Sequence, residues 1–258
     1  MKTILIGATG FVGGVLKRYI DFDAQASSRN ISDFAGDQFD FAIIAAGDAR
    51  KWYANQNPEQ DAEHVDRLIA DIKPIRTRQL LQFSTVDVYA TPSGDENSLA
   101  GAEAEHAYGA NRLRLENALR EHYENTHVVR LPGLFGPGLK KNLIFDVIQD
   151  RDLSGFHPES TFQWFDMTEI ERVVSLVRES GLDTLNLAIE PTTVREVLEA
   201  LGHPTNKLSV EANRVAYDLH TANASLFGQS GVYCYDKIDT LERIVRFFAS
   251  EKVRQGLC

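Results

Sequence analysis

The sequence predicts an α/β protein with a doubly wound parallel sheet and a smaller C-terminal part. The chain has 258 residues, of which 43% are hydrophobic and 25% charged, as is typical of a globular protein with one main core. Its first apolar run, residues 3–6, leads through a glycine-rich turn into a helical pattern. Further short apolar runs alternate with helical segments, and this alternation favours parallel strands joined by crossover helices.

The turn after the first strand has three glycines at GxxGxxG spacing, Gly7, Gly10 and Gly13. The first permits a tight turn, the second lets the backbone approach a pyrophosphate, and the third lets the helix pack closely on the strand. Free N–H groups at the start of the helix would bind the phosphates. The pattern therefore predicts a Rossmann-type dinucleotide site formed by Gly7, Thr9, Gly10, Phe11, Val12 and Gly13.

The second strand, expected over residues 22–27, is followed by Ser28, Arg29 and Asn30. An acidic residue near this position binds the adenosine ribose of NAD, whereas hydroxyl and guanidinium groups suit the 2′-phosphate of NADP. These three residues therefore favour NADP as the cofactor, with NAD as the alternative.

The third strand, expected over residues 39–44, ends in Ala45, Ala46 and Gly47. Small residues at the carboxyl end of a parallel strand leave room for a cofactor in the crevice outside the sheet. We therefore include these three residues in the predicted cofactor site. The link from the second strand is short, so we expect no additional strand before residue 39.

Four motifs together resemble one known family. The turn Gly-Ala-Thr-Gly-Phe-Val-Gly closely resembles the nucleotide turn of the extended short-chain dehydrogenase/reductases, the NAD(P)-dependent epimerase/dehydratase family. Later in the chain, a strand ending in Ser84-Thr85, the segment Tyr108-Gly-Ala-Asn-Arg112 and the segment from Arg130 to Gly-Pro-Gly138 follow in the family's order. The resemblance covers about residues 1–200.

The resemblance implies a catalytic group of Thr85, Tyr108 and Arg112. Thr85 would hydrogen-bond the reacting oxygen and Tyr108 would act as acid or base. Arg112 takes the family's lysine position, where it would hold the nicotinamide ribose and supply charge. A tyrosine with a pKa near 10 is a poor base, and a cation one helical turn away favours its phenolate. Arginine keeps that charge but cannot release a proton as lysine can.

On the substrate side, the resemblance implies that the segment around Pro132 passes the nicotinamide carboxamide. Lys140, Lys141 and Asn142 open a helix where the family's nucleotide-sugar enzymes contact the substrate pyrophosphate, so Lys141 and Asn142 are candidate substrate-binding residues. The family's Arg-Asp pair is replaced by Phe162-Gln163.

For domain organisation we expect an NAD(P)-binding Rossmann domain over residues 1–135 and a small substrate-binding part over residues 136–258. Residues 183–189 would return to the main sheet. By resemblance, two copies would pair as a homodimer through the helices of residues 60–73 and 106–123.

Composition excludes several other classes. The chain has 27 basic and 37 acidic side chains, a net charge of −10, which disfavours nucleic-acid and anionic membrane partners. Cys234 and Cys258 have no metal or disulfide spacing, and the seven histidines show no ligand pattern, so no metal is expected and a reducing cytoplasm is the default. No apolar run is long enough to span a bilayer.

The sequence therefore predicts an NADP-dependent oxidoreductase or epimerase acting on a nucleotide-linked sugar or a related hydroxy or keto compound. A dehydratase is disfavoured because Asp87 lies one position later than the acid of that group. Two alternatives stay open: a non-catalytic NADP-binding regulator or scaffold, and an oxidoreductase of a small ketone.

Overall fold

The computed structural model describes residues 1–98 and 106–256. Two compact units form, one of Met1–Leu131 with Glu169–Asn186 and the other of Pro132–Thr168 with Leu187–Cys258. This division falls four residues before the predicted boundary at residue 136, and it assigns a later segment to the first unit. The C-terminal Cys258 lies outside the described residues.

The strands and helices of the described residues alternate along most of the first unit. The strands are β1 (Thr3–Ile6), β2 (Ala24–Ala26), β3 (Gln38–Ile44), β4 (Arg76–Thr85), β5 (Ser93–Gly94), β6 (Thr126–Leu131), β7 (Gly133–Phe135), β8 (Thr161–Phe162), β9 (Trp164–Asp166), β10 (Thr184–Asn186), β11 (Thr192–Thr193) and β12 (Asp218–Leu219). The helices are α1 (Phe11–Tyr19), α2 (Lys51–Gln56), α3 (Pro58–Ile72), α4 (Ala107–His122), α5 (Leu143–Ile148), α6 (Ile170–Ser180), α7 (Val194–Ala200) and α8 (Lys237–Arg254).

The first unit contains a six-stranded sheet in the order β10-β6-β4-β3-β1-β2. Every adjacent pair in this sheet is parallel, which confirms the predicted doubly wound parallel sheet. From β1 the chain first goes to β2 on one side and then to β3 on the other. The strand order therefore reverses between β1 and β3, and folds of this kind bind ligands at the carboxyl edge of the sheet at such a point.

The sheet is apolar on both faces, as expected of parallel strands covered by helices. Ile4, Ala42 and Leu80 belong to a buried cluster that also includes Val65 of α3 and Leu115 of α4. Helix α2 packs against α3 and α4, whereas α1 and α6 contact each other and are left to cover the opposite face. Both helices turn an apolar side inward.

The link between β2 and β3 contains a short 3₁₀ turn, Ile31–Phe34. Ile31 is buried and the Phe34 ring meets Phe39 edge-on, with ring centroids 6.3 Å apart. Ile31 and Phe34 thus pack the link between β2 and β3 against the core of the first unit.

The second unit has its own apolar core, in which residues of α5, α7 and α8 pack with Phe135 and Trp164. In this unit β7 pairs with β9 in parallel and β8 pairs with β11 antiparallel. Gln163 lies between β8 and β9. The buried Gln163 amide donates to the Leu219 carbonyl (2.8 Å) and accepts from the Leu219 N–H (2.9 Å). The side chain thereby links two strand segments that are distant in sequence.

Within the described ranges, no helix has the length and apolar character needed to cross a membrane. The same residues contain no group of three or more histidine, cysteine or acidic side chains placed to hold a metal ion.

Candidate active site

The glycine turn lies at the point where the strand order reverses, and two of its glycines cannot be replaced without a clash. Gly7 has φ of +93°, and a Cβ there would lie 2.3 Å from the Ala45 carbonyl oxygen. A Cβ on Gly13 would lie 2.2 Å from the Gly7 carbonyl oxygen. Gly7 thus has the positive φ that a tight turn requires, and Gly13 lies as close to the turn as the sequence predicts.

No side chain at the N-cap of α1 accepts a hydrogen bond from the N–H groups of the first helical turn. Gly10 is the N-cap and supplies no side-chain hydrogen bond, and the first turn of the helix contains no acidic residue. Thr9 and Gly10 are exposed, while Phe11 and Val12 are half-buried. The first N–H groups of a helix lack intrahelical partners. Together with the glycine cradle, this arrangement fits the pyrophosphate of a dinucleotide.

The three polar residues predicted after β2, Ser28, Arg29 and Asn30, have different surroundings. The Asn30 side-chain oxygen accepts from the Ser27 N–H at 2.8 Å and from the Ser27 hydroxyl at 3.1 Å, so this residue closes the turn. Ser28 and Arg29 are exposed. The turn adjoins the glycine cradle, because the Ala26 carbonyl accepts the N–H groups of Gly7 and Ala8. Of the three predicted residues, Ser28 and Arg29 have side chains available to a ligand.

The small residues after β3 lie beside the same turn. The Ala45 N–H donates to the Ile6 carbonyl at 2.8 Å, which extends the pairing of β1 and β3 by one residue. Gly47 has φ of +130°, and a Cβ on it would lie 3.6 Å from Nε of Arg112. The segment after β3 therefore lies close to the Arg112 side chain at Gly47.

The structure brings Thr85 and Tyr108 together, with a hydrogen bond between their side chains. Three contacts hold Tyr108 at the start of α4. Its N–H donates to the Asn55 side-chain oxygen at 3.0 Å, and His106 caps the helix by accepting the Gly109 N–H at 3.1 Å. A Cβ on Gly109 would lie 2.0 Å from the Asp87 carbonyl oxygen, so only glycine permits this approach of α4 to the turn after β4.

Arg112 lies beside Tyr108, but its guanidinium already has protein partners. It forms a two-pronged ion pair with Asp61, with Nη1–Oδ2 and Nη2–Oδ1 distances of 2.7 and 3.1 Å. It also donates to the Asp48 carbonyl and covers the Tyr108 ring, 4.4 Å from the ring centroid. The Arg112 and Asp61 side chains are only 6% and 2% exposed. Both terminal nitrogens of the Arg112 guanidinium thus have partners within the protein.

A second ion pair lies near Tyr108. Nζ of Lys51 is 2.7 Å from Oδ1 of Asp87, and the Asp87 N–H donates to the Thr85 hydroxyl at 3.2 Å. Neither Lys51 nor Asp61 was among the residues predicted from the sequence. Lys51 is in α2 and Asp61 is in α3, and both helices pack against α4. Each residue therefore meets a partner that is distant in sequence, and neither belongs to a local motif.

The surroundings of Tyr108 raise its pKa above the ordinary value. Burial is the main cause and Asp87 adds to it, whereas Arg112, Lys51 and the Thr85 hydrogen bond act in the opposite direction. The phenol therefore holds its proton at neutral pH. This balance differs from the sequence-based expectation that the cation at position 112 would dominate and favour the phenolate.

A buried polar network supports the other end of α4. Arg130 of β6 pairs with Glu116 at 2.7 Å and donates to the Tyr89 hydroxyl at 2.7 Å. The Tyr89 hydroxyl donates in turn to the Asn186 side chain at 3.0 Å. Because the Arg130 charge is paired and hydrogen-bonded, it fixes α4 against β6.

The predicted substrate-side residues belong to the second unit. Asn142 caps α5: its Oδ1 accepts the Phe145 N–H at 3.1 Å and its Nδ2 donates to the Leu134 carbonyl at 2.8 Å. Both polar atoms of the amide are thus used within the protein, which differs from the expected substrate contact. Lys140 and Lys141 are exposed, and the half-buried Pro132 directly follows β6.

No family model matches the chain. No curated protein matches it in sequence.

Solved structures match nearly the whole chain. A dTDP-4-dehydrorhamnose reductase from Bacillus anthracis in complex with NADP has a TM-score of 0.75 at 15% identity, covering 97% of this chain and 99% of that chain. DesIV, a dTDP-glucose 4,6-dehydratase from Streptomyces venezuelae with NAD bound, has a TM-score of 0.73 at 14% identity, covering 98% of both chains. The chain therefore shares the fold of these structures, a Rossmann-type α/β fold with a parallel central sheet.

A third match with this fold is the UDP-N-acetylglucosamine 4-epimerase from Methanobrevibacter ruminantium M1, with a TM-score of 0.68 at 15% identity, covering 97% of this chain and 98% of that chain. The resemblance drawn from the sequence motifs is therefore confirmed at the level of the fold. In this fold Thr85 ends β4 at the same sheet edge as the glycine turn, because β1, β3 and β4 are neighbouring parallel strands.

Proposed function

We propose that the protein is an NADP-dependent oxidoreductase that reduces a nucleotide-linked keto-sugar or a related keto compound. The observation that supports this most is the Tyr108 phenol, hydrogen-bonded to Thr85 at the edge of the sheet that also bears the glycine cradle, where burial raises the pKa of the phenol. A reductase needs a proton donor at this place. An epimerase or an alcohol oxidation needs Tyr108 as a base, and its raised pKa opposes that role.

The chemistry assigned to the chain is a proton transfer to the substrate oxygen. A bound nicotinamide dinucleotide supplies the hydride that reduces the carbonyl carbon. Thr85 orients the carbonyl oxygen by hydrogen bonding. Tyr108 gives its phenolic proton to that oxygen as negative charge develops on it, so the product is an alcohol and Tyr108 is left as a phenolate.

NADP is favoured over NAD because Ser28 and Arg29 are exposed beside the glycine cradle. Fluorescence titration with NADPH and NADH tests this choice. We expect tighter NADPH binding, and we expect Arg29→Ala to weaken it about tenfold while NADH binding stays unchanged. Arg18→Ala, an exposed arginine at the far end of α1, is the matched control. Tighter NADH binding by the wild type would contradict the assignment.

The substrate class is supported by the proteins whose solved structures share this fold. Their names are those of enzymes that act on dTDP- and UDP-linked sugars. NADPH consumption with a panel of nucleotide-4-keto-sugars tests it. We expect turnover with at least one compound and a loss of 10²- to 10⁴-fold in Tyr108→Phe. The variant should bind NADPH as the wild type does, because the change removes only the phenolic hydroxyl.

A non-catalytic NADP-binding regulator is the second candidate. The observation that favours it is the Arg112–Asp61 ion pair, which withdraws the guanidinium from any ribose. Tight NADPH binding without turnover of any compound in the panel would support this candidate over the reductase.

We also propose that two copies pair through α3 and α4. These helices lie side by side in the first unit, with Arg114 and Asp66 joined at 2.6 Å across their exposed sides. Light scattering coupled to size exclusion measures the mass in solution. A mass of one chain at all concentrations would contradict the proposal.

A further inference from the structure

The proposed reduction consumes one proton from Tyr108 in each turnover, so solvent must return one. Arg112 is unsuited to this task, because a guanidinium does not release its proton in proteins and this one is buried against Asp61. The residue that restores the Tyr108 proton must carry a proton that it can give up and regain, reach solvent and lie near Tyr108. This requirement rests on the proposed function.

Lys51 meets these conditions. Its side chain is 37% exposed, and its ammonium is held 2.7 Å from Asp87. Asp87 lies in the turn that contacts the start of α4, with its N–H bound to the Thr85 hydroxyl. Asn55, one helical turn after Lys51 on α2, accepts the Tyr108 N–H at 3.0 Å. The same helix therefore positions both the ammonium and the backbone of Tyr108.

We propose that Lys51, oriented by Asp87, returns the proton from solvent to Tyr108, while Arg112 supplies only a fixed positive charge beside the ring. The Lys51 ammonium gives one proton to the Tyr108 phenolate through the Thr85 hydroxyl or a water molecule. The neutral Lys51 amine then takes one proton from solvent, and both residues regain their starting states. Lys51 thus acts through Tyr108 and does not contact the substrate.

The charged and titratable groups that face Tyr108 determine the sign of each expected effect. Arg112 faces it from α4, Asp87 from the turn after β4 and Lys51 from α2, while the His106 ring at the helix start is 6.4 Å away. Removing the Lys51 charge leaves Asp87 unbalanced beside the phenol, which stabilises the neutral phenol and raises its pKa. Removing the Asp87 charge has the opposite effect.

An NMR titration of ¹³C-labelled tyrosine in the cofactor-free protein tests this coupling without turnover, with Tyr108→Phe to assign the signal. We expect Lys51→Met to raise the Tyr108 pKa by about 1 and Asp87→Asn to lower it. Lys51→Arg keeps the charge and should leave the pKa near the wild-type value. Lys17→Met, an exposed lysine of α1, is the control. An unchanged Tyr108 pKa in Lys51→Met would overturn the inference.

Turnover then separates proton return from charge. Both Lys51→Arg and Lys51→Met should lower kcat about tenfold or more, because neither side chain can return a proton. A small primary amine such as ethylamine should restore part of the kcat of Lys51→Met. Wild-type kcat in Lys51→Arg over the whole pH profile would overturn the proton-return role. Absence of turnover in the wild type would contradict the proposed function alone, and the NMR titration would still decide whether Lys51 couples to Tyr108.

Discussion

Two ion pairs flank Tyr108, and they differ both in burial and in the cation that each contains. The Arg112–Asp61 pair is two-pronged, with side chains 6% and 2% exposed. The Lys51–Asp87 pair has a 2.7 Å contact, with side chains 37% and 16% exposed. A buried pair must stay charged and in place, because losing one partner leaves an uncompensated charge. Burial and the chemistry of the guanidinium together restrict Arg112 to a fixed charge, whereas the Lys51 ammonium lies within reach of solvent.

The difference follows from where each carboxylate lies. Asp61 is on the side of α3 that packs against α4, and Asn111 also donates to it at 2.8 Å. Asp87 is in a short turn at the sheet edge, next to the exposed start of α2. Substitutions at the two pairs should therefore have unequal effects on the free energy of unfolding.

The largest expected effect on stability is that of Asp61→Ala. The change leaves the Arg112 guanidinium buried without its carboxylate, and we expect the free energy of unfolding to fall by about 3–5 kcal/mol. Urea denaturation followed by circular dichroism measures it. Glu63→Ala, an exposed carboxylate on the same helix, should change stability by less than about 1 kcal/mol. Equal effects of the two substitutions would show that the buried pair is not structural.

Gly109→Ala should disturb both pairs at once by moving α4 away from Asp87. The new Cβ would lie 2.0 Å from the Asp87 carbonyl oxygen, so the start of α4 must shift and carry Tyr108 away from Thr85. We expect turnover to fall about 10²-fold while NADPH still binds, because the glycine cradle is unchanged. Gly14→Ala, where a Cβ would meet no atom within 4 Å, is the control. Wild-type turnover in Gly109→Ala would show that this approach does not position Tyr108.

Arg112→Lys tests whether the buried pair needs the shape of the guanidinium or only its charge. Lysine cannot reproduce the two-pronged contact with Asp61 together with the bond to the Asp48 carbonyl. We expect the free energy of unfolding to fall by about 1–3 kcal/mol. Arg67→Lys on the exposed side of α3 should have almost no effect. If the two substitutions cost the same, charge alone is sufficient at position 112.

The sequence predicted the features that depend on neighbouring residues. The spacing identified both Gly7 and Gly13. The clash that Gly13 avoids lies within the turn itself, with the Gly7 carbonyl oxygen, whereas the clash that Gly7 avoids is with Ala45 after β3, which the spacing does not show. The parallel sheet followed from short apolar runs that alternate with helical segments. Thr85 and Tyr108 were identified by resemblance, since each belongs to a local motif at the end of a strand or the start of a helix.

The remaining features depend on packing between distant segments. Asp61 and Arg112 are 51 residues apart, and Lys51 and Asp87 are 36 apart. No local pattern marks either pair, so sequence reasoning assigned Arg112 to a ligand. Asn142 is different, because an asparagine before an apolar helical run is a recognisable N-cap signal. That signal indicates the structural role that the amide has in α5.

The smallest expected change in stability is that of Lys51→Met. A partly exposed ion pair contributes little to folding, so we expect the free energy of unfolding to change by less than about 1 kcal/mol in urea denaturation. This result would contrast with Asp61→Ala, although both substitutions remove a charge from an ion pair beside Tyr108. A loss as large as that of Asp61→Ala would mean that both pairs are structural. A small loss together with a changed Tyr108 titration would separate the two pairs by function, because Lys51 would then influence the phenol without stabilising the fold.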